Sequence, residues 1–294
     1  YNIAILKKLP KWGVTAHYVN EDIDTGKIIR VNKFDFDYVV IAPSHIVCSM
    51  DYRPYIVEHT SSKADISVVY SEIHSNGEQY AGLSSLSLGQ NDQIIRTEKN
   101  NLKNKTVKLS LESYIISRKA LIDLIELSNH QRKSITLDEI IAKIINKKLM
   151  NVHGIKFEGY FIPITSLKNY INYSFELLNY HSRSQLFLDD WPIYSTNHNA
   201  PPARYGENAN VRNCFIANGS IINGTVTNSI LSRDVVIEEG AVVSNSIIFT
   251  GGKVGHRSQL KYVVADKKCS VGEYKSISGK QDKFFEINFG EKIK

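Results

Sequence analysis

The sequence predicts a two-domain protein: an α/β domain of alternating strands and helices, followed by a parallel β-helix. Three observations predict it. The chain has 294 residues, enough for two domains of roughly 100 to 200 residues each. Short β-branched runs alternate with helix-length amphipathic stretches up to about residue 180. Beyond residue 207 apolar residues recur every six positions, a period that neither a helix nor a single strand produces.

The first domain is read over residues 1–180. Residues 37–42 (DYVVIA) form a β-branched run that stops at Pro43, as a buried strand would. Residues 51–61 have helix length, with Tyr52, Tyr55 and Ile56 on one side. Residues 66–70 (ISVVY) are a second buried strand, which completes a β-α-β unit. Residues 89–92 (GQND) lie between 84–88 and 93–96 as a hairpin turn would. A strand over 107–116 follows, then helices over 119–127 and 136–147, the second carrying Ile140, Ile141, Ile144 and Ile145 along one face. Residues 156–161 read as a strand and 167–178 as a last amphipathic helix.

Periodicity lapses over 181–207, where Pro192, Pro201 and Pro202 punctuate a stretch rich in Asn, Ser and Asp; this is read as the linker. The β-helix is read over 208–280 and a C-terminal tail over 281–294. Ile230, Val236, Val242, Ile248, Val254 and Leu260 form a ladder at strict six-residue spacing, read as one inward-pointing aliphatic per short strand of the β-helix. With 42% hydrophobic residues, six hits in one register arise by chance about 0.5% of the time. Independently, residues 226–231 (VTNSIL) return 17 residues later as 243–248 (VSNSII), close to one coil of three hexapeptides.

Composition narrows the function classes. The 36 Lys and Arg against 30 Asp and Glu give a net charge of +6, but the basic residues are spread in twos and threes. No basic stripe with interleaved aromatics is present, so nucleic acid is not expected as a partner; the charges read as solvated surface, with small anions such as sugar phosphates as the alternative. No apolar run approaches the roughly 20 residues that cross a bilayer, so no membrane association is expected. Cys48, Cys214 and Cys269 lie far apart and make no disulfide framework, which favours a reducing cytoplasm. The nine histidines form no metal-ligand spacing with Cys or Glu. Cys48 close to His45 invites a nucleophile reading, against which stands a buried, inert thiol. His256 invites comparison with β-helix acyltransferases that use a coil histidine as general base, but it reads here as one more coil corner.

The ordered set of motifs resembles the glucose-1-phosphate adenylyltransferase (ADP-glucose pyrophosphorylase) family. The matching segments are 38–52 (YVVIAPSHIVCSMDY), 63–70 (KADISVVY), 94–99 (IIRTEK), 157–178 (FEGYFIPITSLKNYINYSFELL), 201–205 (PPARY) and 216–266. The resemblance implies a Rossmann-like mixed-sheet nucleotide-diphosphosugar transferase domain, joined to a left-handed parallel β-helix of hexapeptide repeats. It also implies that the first domain is N-terminally incomplete. The family's glycine-rich phosphate loop is missing before the 38–42 strand, and the chain begins at Tyr1 rather than Met.

In the catalytic members Mg²⁺ is held by two aspartates. The resemblance places Ser44 at the first of these positions and Pro163 at the second, so neither carboxylate is present. No catalytic residue and no cofactor are therefore assigned to this chain, and Mg²⁺ is expected in a catalytic partner. Glu98 and Lys99 match the first two residues of the family's Glu-Lys-Pro, whose lysine meets the sugar phosphate; with Ser44 they are the candidate substrate contacts. Arg233, Arg257 and Lys261 are candidate contacts for phosphorylated effectors, which in the family bind between the two domains.

These departures, with the string 191–194 (WPIY), resemble the regulatory GlgD-type subunit. The resemblance then implies a non-catalytic chain that assembles with a catalytic subunit into a mixed tetramer in glycogen biosynthesis. Two alternatives stand beside it. One is an active adenylyltransferase seen as a fragment, with Asp35, Asp37 and Asp51 as the nearest replacement ligands. The other is a sugar-phosphate sensor or scaffold with no enzymatic partner.

Overall fold

The structure is a computed structural model that describes residues 2–5, 13–14, 37–129, 136–193 and 199–294. The chain divides into two compact units, Tyr1–Thr165 and Ser166–Lys294.

In the first unit the strands are β1 (Asn2–Ile5), β2 (Gly13–Val14), β3 (Tyr38–Ala42), β4 (Ile46–Cys48), β5 (Ile66–Ile73), β6 (Ser84–Leu88), β7 (Ile94–Lys99), β8 (Val107–Ser117), β9 (Val152–Lys156) and β10 (Phe161–Pro163). The helices are α1 (Tyr52–Ser62), α2 (Arg118–Asn129) and α3 (Leu137–Lys147). The main sheet runs β2-β1-β3-β8-β5-β9, with the β6–β7 hairpin joined to β8. β3 and β5 are each antiparallel to β8, so they run parallel to one another with β8 between them. The expected β-α-β unit is therefore split: its two strands share a direction but are not neighbours. Only β5 and β9 pair in parallel, which makes the sheet mixed.

Local chemistry explains the elements. Asp51 caps α1 by accepting from the Arg53 amide, and Lys63 closes the helix in a left-handed conformation. Thr136 and Glu139 form a capping box at the start of α3, whose Ile140, Ile141, Ile144 and Ile145 are all buried. Each such isoleucine contributes about 1.5 to 3 kcal/mol by leaving water. These four join Ile66, Val68, Tyr114 and Ile116 in the main core of the sheet. Asn91 and Asp92 take left-handed backbone in the β6–β7 turn, a conformation that these residue types tolerate best after glycine. The strand expected over 156–161 is displaced. β9 ends at Lys156 and β10 begins at Phe161, and the Phe157 amide that follows β9 bonds the Tyr70 carbonyl.

The second unit opens with α4 (Leu167–Glu176) and α5 (Tyr180–Leu186). The segment read as a linker thus contains a helix, and α4 groups with the solenoid. Ile171 of α4 is buried with Ile247 and Val264, and Tyr170 stacks on Phe249 at 5.9 Å. The rest is a three-faced β-solenoid. One face stacks Arg204–Tyr205, Ile221–Ile222, Val236–Ile237, Lys253–Val254, Ser270–Val271 and Lys292–Ile293 in parallel register. The other two faces hold Thr225, Val242, Gln259 and Ser276 at equivalent positions, and Ile230 and Ile247 likewise.

Two sequence expectations change here. The six-residue ladder is not the inward register. The residues that fill the solenoid are Val226, Leu231, Ile237, Val243, Ile248, Val254, Leu260, Ala265 and Val271, none more than 3% exposed. Their spacing cycles five, six, six. The five arises where Asn228 and Asn245 each turn a corner in one left-handed residue. Ile230 is apolar for another reason, since it packs in the cluster that α4 covers. The strict ladder enters the true register only at Ile248. The second change is the tail. Phe285–Ile287 pairs with Val263–Ala265 and Lys292–Ile293 with Ser270–Val271, so residues 281–294 carry the last coil. Among the described residues no helix is long and apolar enough to cross a membrane.

Candidate functional site

Ser44 lies exposed in the turn between β3 and β4, and Pro163 ends the buried strand β10. β4 and β10 pair antiparallel, with Pro163 opposite Ile46, and the Ile164 amide donates to the His45 carbonyl at 2.7 Å. The two positions where the resemblance implies metal ligands are therefore brought together. Neither carries a carboxylate, and a hydroxyl with an imino-acid ring does not fit Mg²⁺. Of the nearest replacement acids, Asp51 is held by the α1 cap and by the Arg53 guanidinium at 2.6 Å, which keeps its carboxyl below the usual range. Asp37 stands in the bend before β3, and Asp35 lies outside the described residues.

A second group of polar side chains gathers around β8. Between Val69 and Tyr70 of β5 the register on β8 jumps from Ser113 to Ser110, so Leu111 and Glu112 are extra residues in a bulge. Glu112 sits there at φ 49°, in the left-handed region that favours glycine, with its side chain buried. Its carboxylate lies 3.6 Å from Nε2 of His45, which stands between Ser44 and β4. Burial raises the Glu112 carboxyl above its ordinary value and nearby Asp138 raises it further, while His45 and Lys99 act in the opposite sense. Asp138, in the first turn of α3, accepts from Lys99 Nζ at 2.9 Å, from Tyr114 Oη at 3.2 Å and from Ser84 Oγ at 3.1 Å.

Lys99 thus faces a set of polar groups with His45, Glu112, Asp138 and Tyr114. Glu98 does not join it: adjacent in β7, it pairs instead with Arg96 at 2.9 Å on the exposed side. Sequence reasoning missed Glu112 and Asp138. A carboxylate inside the apolar run 107–117 was the available signal for Glu112, because an unpaired buried charge is too costly to be incidental. Asp138 is masked by its place in a helix first turn, where an acid needs no other explanation.

Cys48 packs beside Tyr52 and Tyr55, and burial pushes its thiol up to about 11. A protonated thiol is a poor nucleophile, which leaves the inert reading. His256 is half-buried and meets Tyr274 edge to face at 5.7 Å. Arg233, Arg257 and Lys261 fall at three different corners of the solenoid. Arg233 precedes left-handed Asp234, Arg257 is itself left-handed, and Lys261 precedes left-handed Tyr262, over whose ring its ammonium lies at 5.5 Å. Within this unit no two of the three share a corner. Among the described residues no cluster of three or more His, Cys, Asp or Glu has the makings of a metal site.

A mixed α/β sheet domain followed by a hexapeptide-type β-solenoid defines the class of this protein. The sugar-nucleotide enzymes resembled in sequence are found again by comparison. Residues 201–284 match the family model described as GlmU-like, C-terminal hexapeptide. Over 82% of its length the chain is 27% identical to a glucose-1-phosphate adenylyltransferase of Bacillus thuringiensis (strain Al Hakam), covering 64% of that protein. It is 26% identical over 76% of its length to the glucose-1-phosphate adenylyltransferase of Fervidobacterium nodosum, covering 54% of it. It is also 27% identical over 82% of its length to the glycogen biosynthesis protein GlgD of Bacillus subtilis, covering 60% of it. The chain spans between about half and two thirds of the length of these relatives.

Proposed function

We propose that this chain serves glycogen biosynthesis as a non-catalytic subunit of a glucose-1-phosphate adenylyltransferase, modulating a catalytic partner that makes ADP-glucose and diphosphate from ATP and glucose 1-phosphate. The observation that carries the reading is the pairing of β4 with β10. It brings Ser44 and Pro163 together, so the place where paired carboxylates would hold Mg²⁺ offers a hydroxyl and a proline ring. A magnesium-dependent phosphoryl transfer draws most of its rate from charge neutralisation and positioning, and removing both ligands removes that term. The metal then belongs to the partner. On this reading the assembly is a mixed tetramer in the cytoplasm, and the solenoid, whose end coils leave strand edges open, supplies part of the contact.

Phosphorylated sugars or nucleotides are the proposed ligands, with Arg233, Arg257 and Lys261 as effector contacts. Because these three residues stand on separate corners, each is tested alone: Arg233→Ala, Arg257→Ala and Lys261→Ala in the mixed complex, with activation constants as the readout. Unchanged constants in all three remove the effector assignment.

The main test purifies the chain alone and with its catalytic partner and measures ADP-glucose formation with Mg²⁺. The expected result is no activity in the chain alone and altered rate or effector response in the mixture. Activity of the lone chain would favour the active-fragment reading, and failure of the two chains to co-purify would favour a sensor or scaffold.

A further inference from the structure

Lys99 and His45 are the two basic side chains of the polar group around β8, and each meets one of the chain's own carboxylates. Asp138 takes the Lys99 ammonium at 2.9 Å, and Glu112 stands 3.6 Å from His45 Nε2. Asp138 has two further donors, Tyr114 and Ser84, and so keeps its place without Glu112. Glu112 has little to gain where it is. Its backbone is held in a left-handed bulge at φ 49°, and its side chain is buried. A residue kept in strain and out of water points to a task rather than to stability.

We infer that Glu112 is a selectivity residue that keeps phosphate-bearing ligands away from Lys99 and His45. The reasoning is electrostatic. A phosphomonoester approaching Lys99 carries close to two negative charges at neutral pH and would meet the Asp138 carboxylate on the ammonium, with Glu112 near enough for the charges of Asp138 and Lys99 to act on it. Like charges a few ångströms apart in a partly buried site oppose one another far more strongly than in water. The side chain that creates the excess is Glu112, because Asp138 is already balanced by Lys99. The inference rests on the reading of Lys99 as a phosphate-facing lysine. It explains how a chain can keep that lysine and still leave sugar phosphates to a partner.

The test is calorimetric titration of glucose 1-phosphate, and separately of inorganic phosphate, into the full chain and three variants. Glu112→Gly removes the charge and suits the left-handed backbone, so folding is favoured rather than threatened. Glu112→Gln removes the charge and keeps the shape. The third variant combines Glu112→Gly with Lys99→Ala. The expected result is weak binding by the unmodified chain, binding at least about tenfold tighter in both single variants, and loss of that gain in the double variant. Equal binding by the unmodified chain and Glu112→Gly, no binding by any protein, or a gain that survives Lys99→Ala overturns the inference. A gain in Glu112→Gly without one in Glu112→Gln overturns the charge argument in favour of simple room. Titration uses no catalytic partner and no turnover, so it stands or falls separately from the ADP-glucose assay. Comparing the two probes tells a sugar-phosphate exclusion from a general anion effect.

Discussion

Asn228 donates its side-chain amide to the side-chain oxygen of Asn245, 17 residues further along the chain, at 2.5 Å. Asn213 donates in turn to Asn228 at 2.9 Å, and all three take left-handed backbone. The residues form a ladder up one corner of the solenoid. Each does two things that few side chains combine: it tolerates positive φ, and its side-chain amide takes part in a hydrogen bond between coils.

Asn245→Ala should therefore cost about 1.5 to 3.5 kcal/mol, the sum of a left-handed alanine and a broken amide link. Asn245→Gly should cost less, because it keeps the backbone and loses only the link. Thermal or urea unfolding of both variants separates the two contributions. Equal losses would show that the backbone conformation is not what the site selects.

Helix α4 covers Ile247 and Val264 through Ile171, which is 6% exposed. Ile171→Ala should destabilise the second unit by roughly 2 to 4 kcal/mol, as large-to-small changes in a core do. Hydrogen exchange would localise the effect. Faster exchange is expected along 229–231 and 246–248, with 66–73 unchanged.

His59 is buried on the inner side of α1, where Nδ1 meets Ser67 Oγ at 2.7 Å, Nε2 has no hydrogen-bond partner among the described residues, and Tyr38 packs edge to face against the ring. Burial lowers its pKa from 6.5 to about 4, with His153 acting in the same direction and Asp65 against it. The imidazole is neutral in the folded state, whereas the unfolded chain takes up a proton below about 6.5. Its contribution is fully present above that pH and is lost as pH falls towards 4, by up to about 3 kcal/mol. His59→Gln should flatten the stability curve between those limits, and an unchanged slope would count against the assignment.

Cys48 should alkylate slowly. With its pKa pushed from 9.0 to about 11, the thiolate fraction at pH 8 drops by about a hundredfold relative to an unperturbed thiol. Iodoacetamide labelling followed by peptide mass analysis should find Cys48 protected in the folded chain and labelled in urea.

Which features the sequence disclosed follows from what each depends on. The solenoid was legible because coil stacking forces equivalent residues to recur: VTNSIL at 226–231 and VSNSII at 243–248 sit one above the other, Val226 on Val243 and Leu231 on Ile248. The register was not legible from hydrophobicity alone. Ile230 is covered from outside by α4 while Leu231 is buried inside, and both read as apolar. The ends of the solenoid were obscured for a related reason. Phe285–Ile287 and Lys292–Ile293 return after an inserted loop, so no fixed period reaches them. In the first unit local signals such as the isoleucine spacing of 136–147 and the GQND turn carried through. The position of β8 between β3 and β5 depends on pairing across a long stretch of chain, which no local pattern records. The candidate site was half visible. Ser44, Lys99 and Pro163 were singled out by resemblance, but Glu112 belongs to a bulge whose existence depends on how β5 and β8 align.

The corner columns carry one more implication. Successive strands on the first face of the solenoid are 17, 15, 17, 17 and 22 residues apart, yet inward side chains stay stacked throughout. Length differences are taken up entirely at the bends, which act like expansion joints in a rigid track. Insertions at those bends should be absorbed locally, whereas a single residue added inside a strand would turn every later side chain on that face the wrong way round. Such a scaffold can acquire loops of any length along its edges and still keep its core in step, which makes those edges the natural place for relatives to diverge.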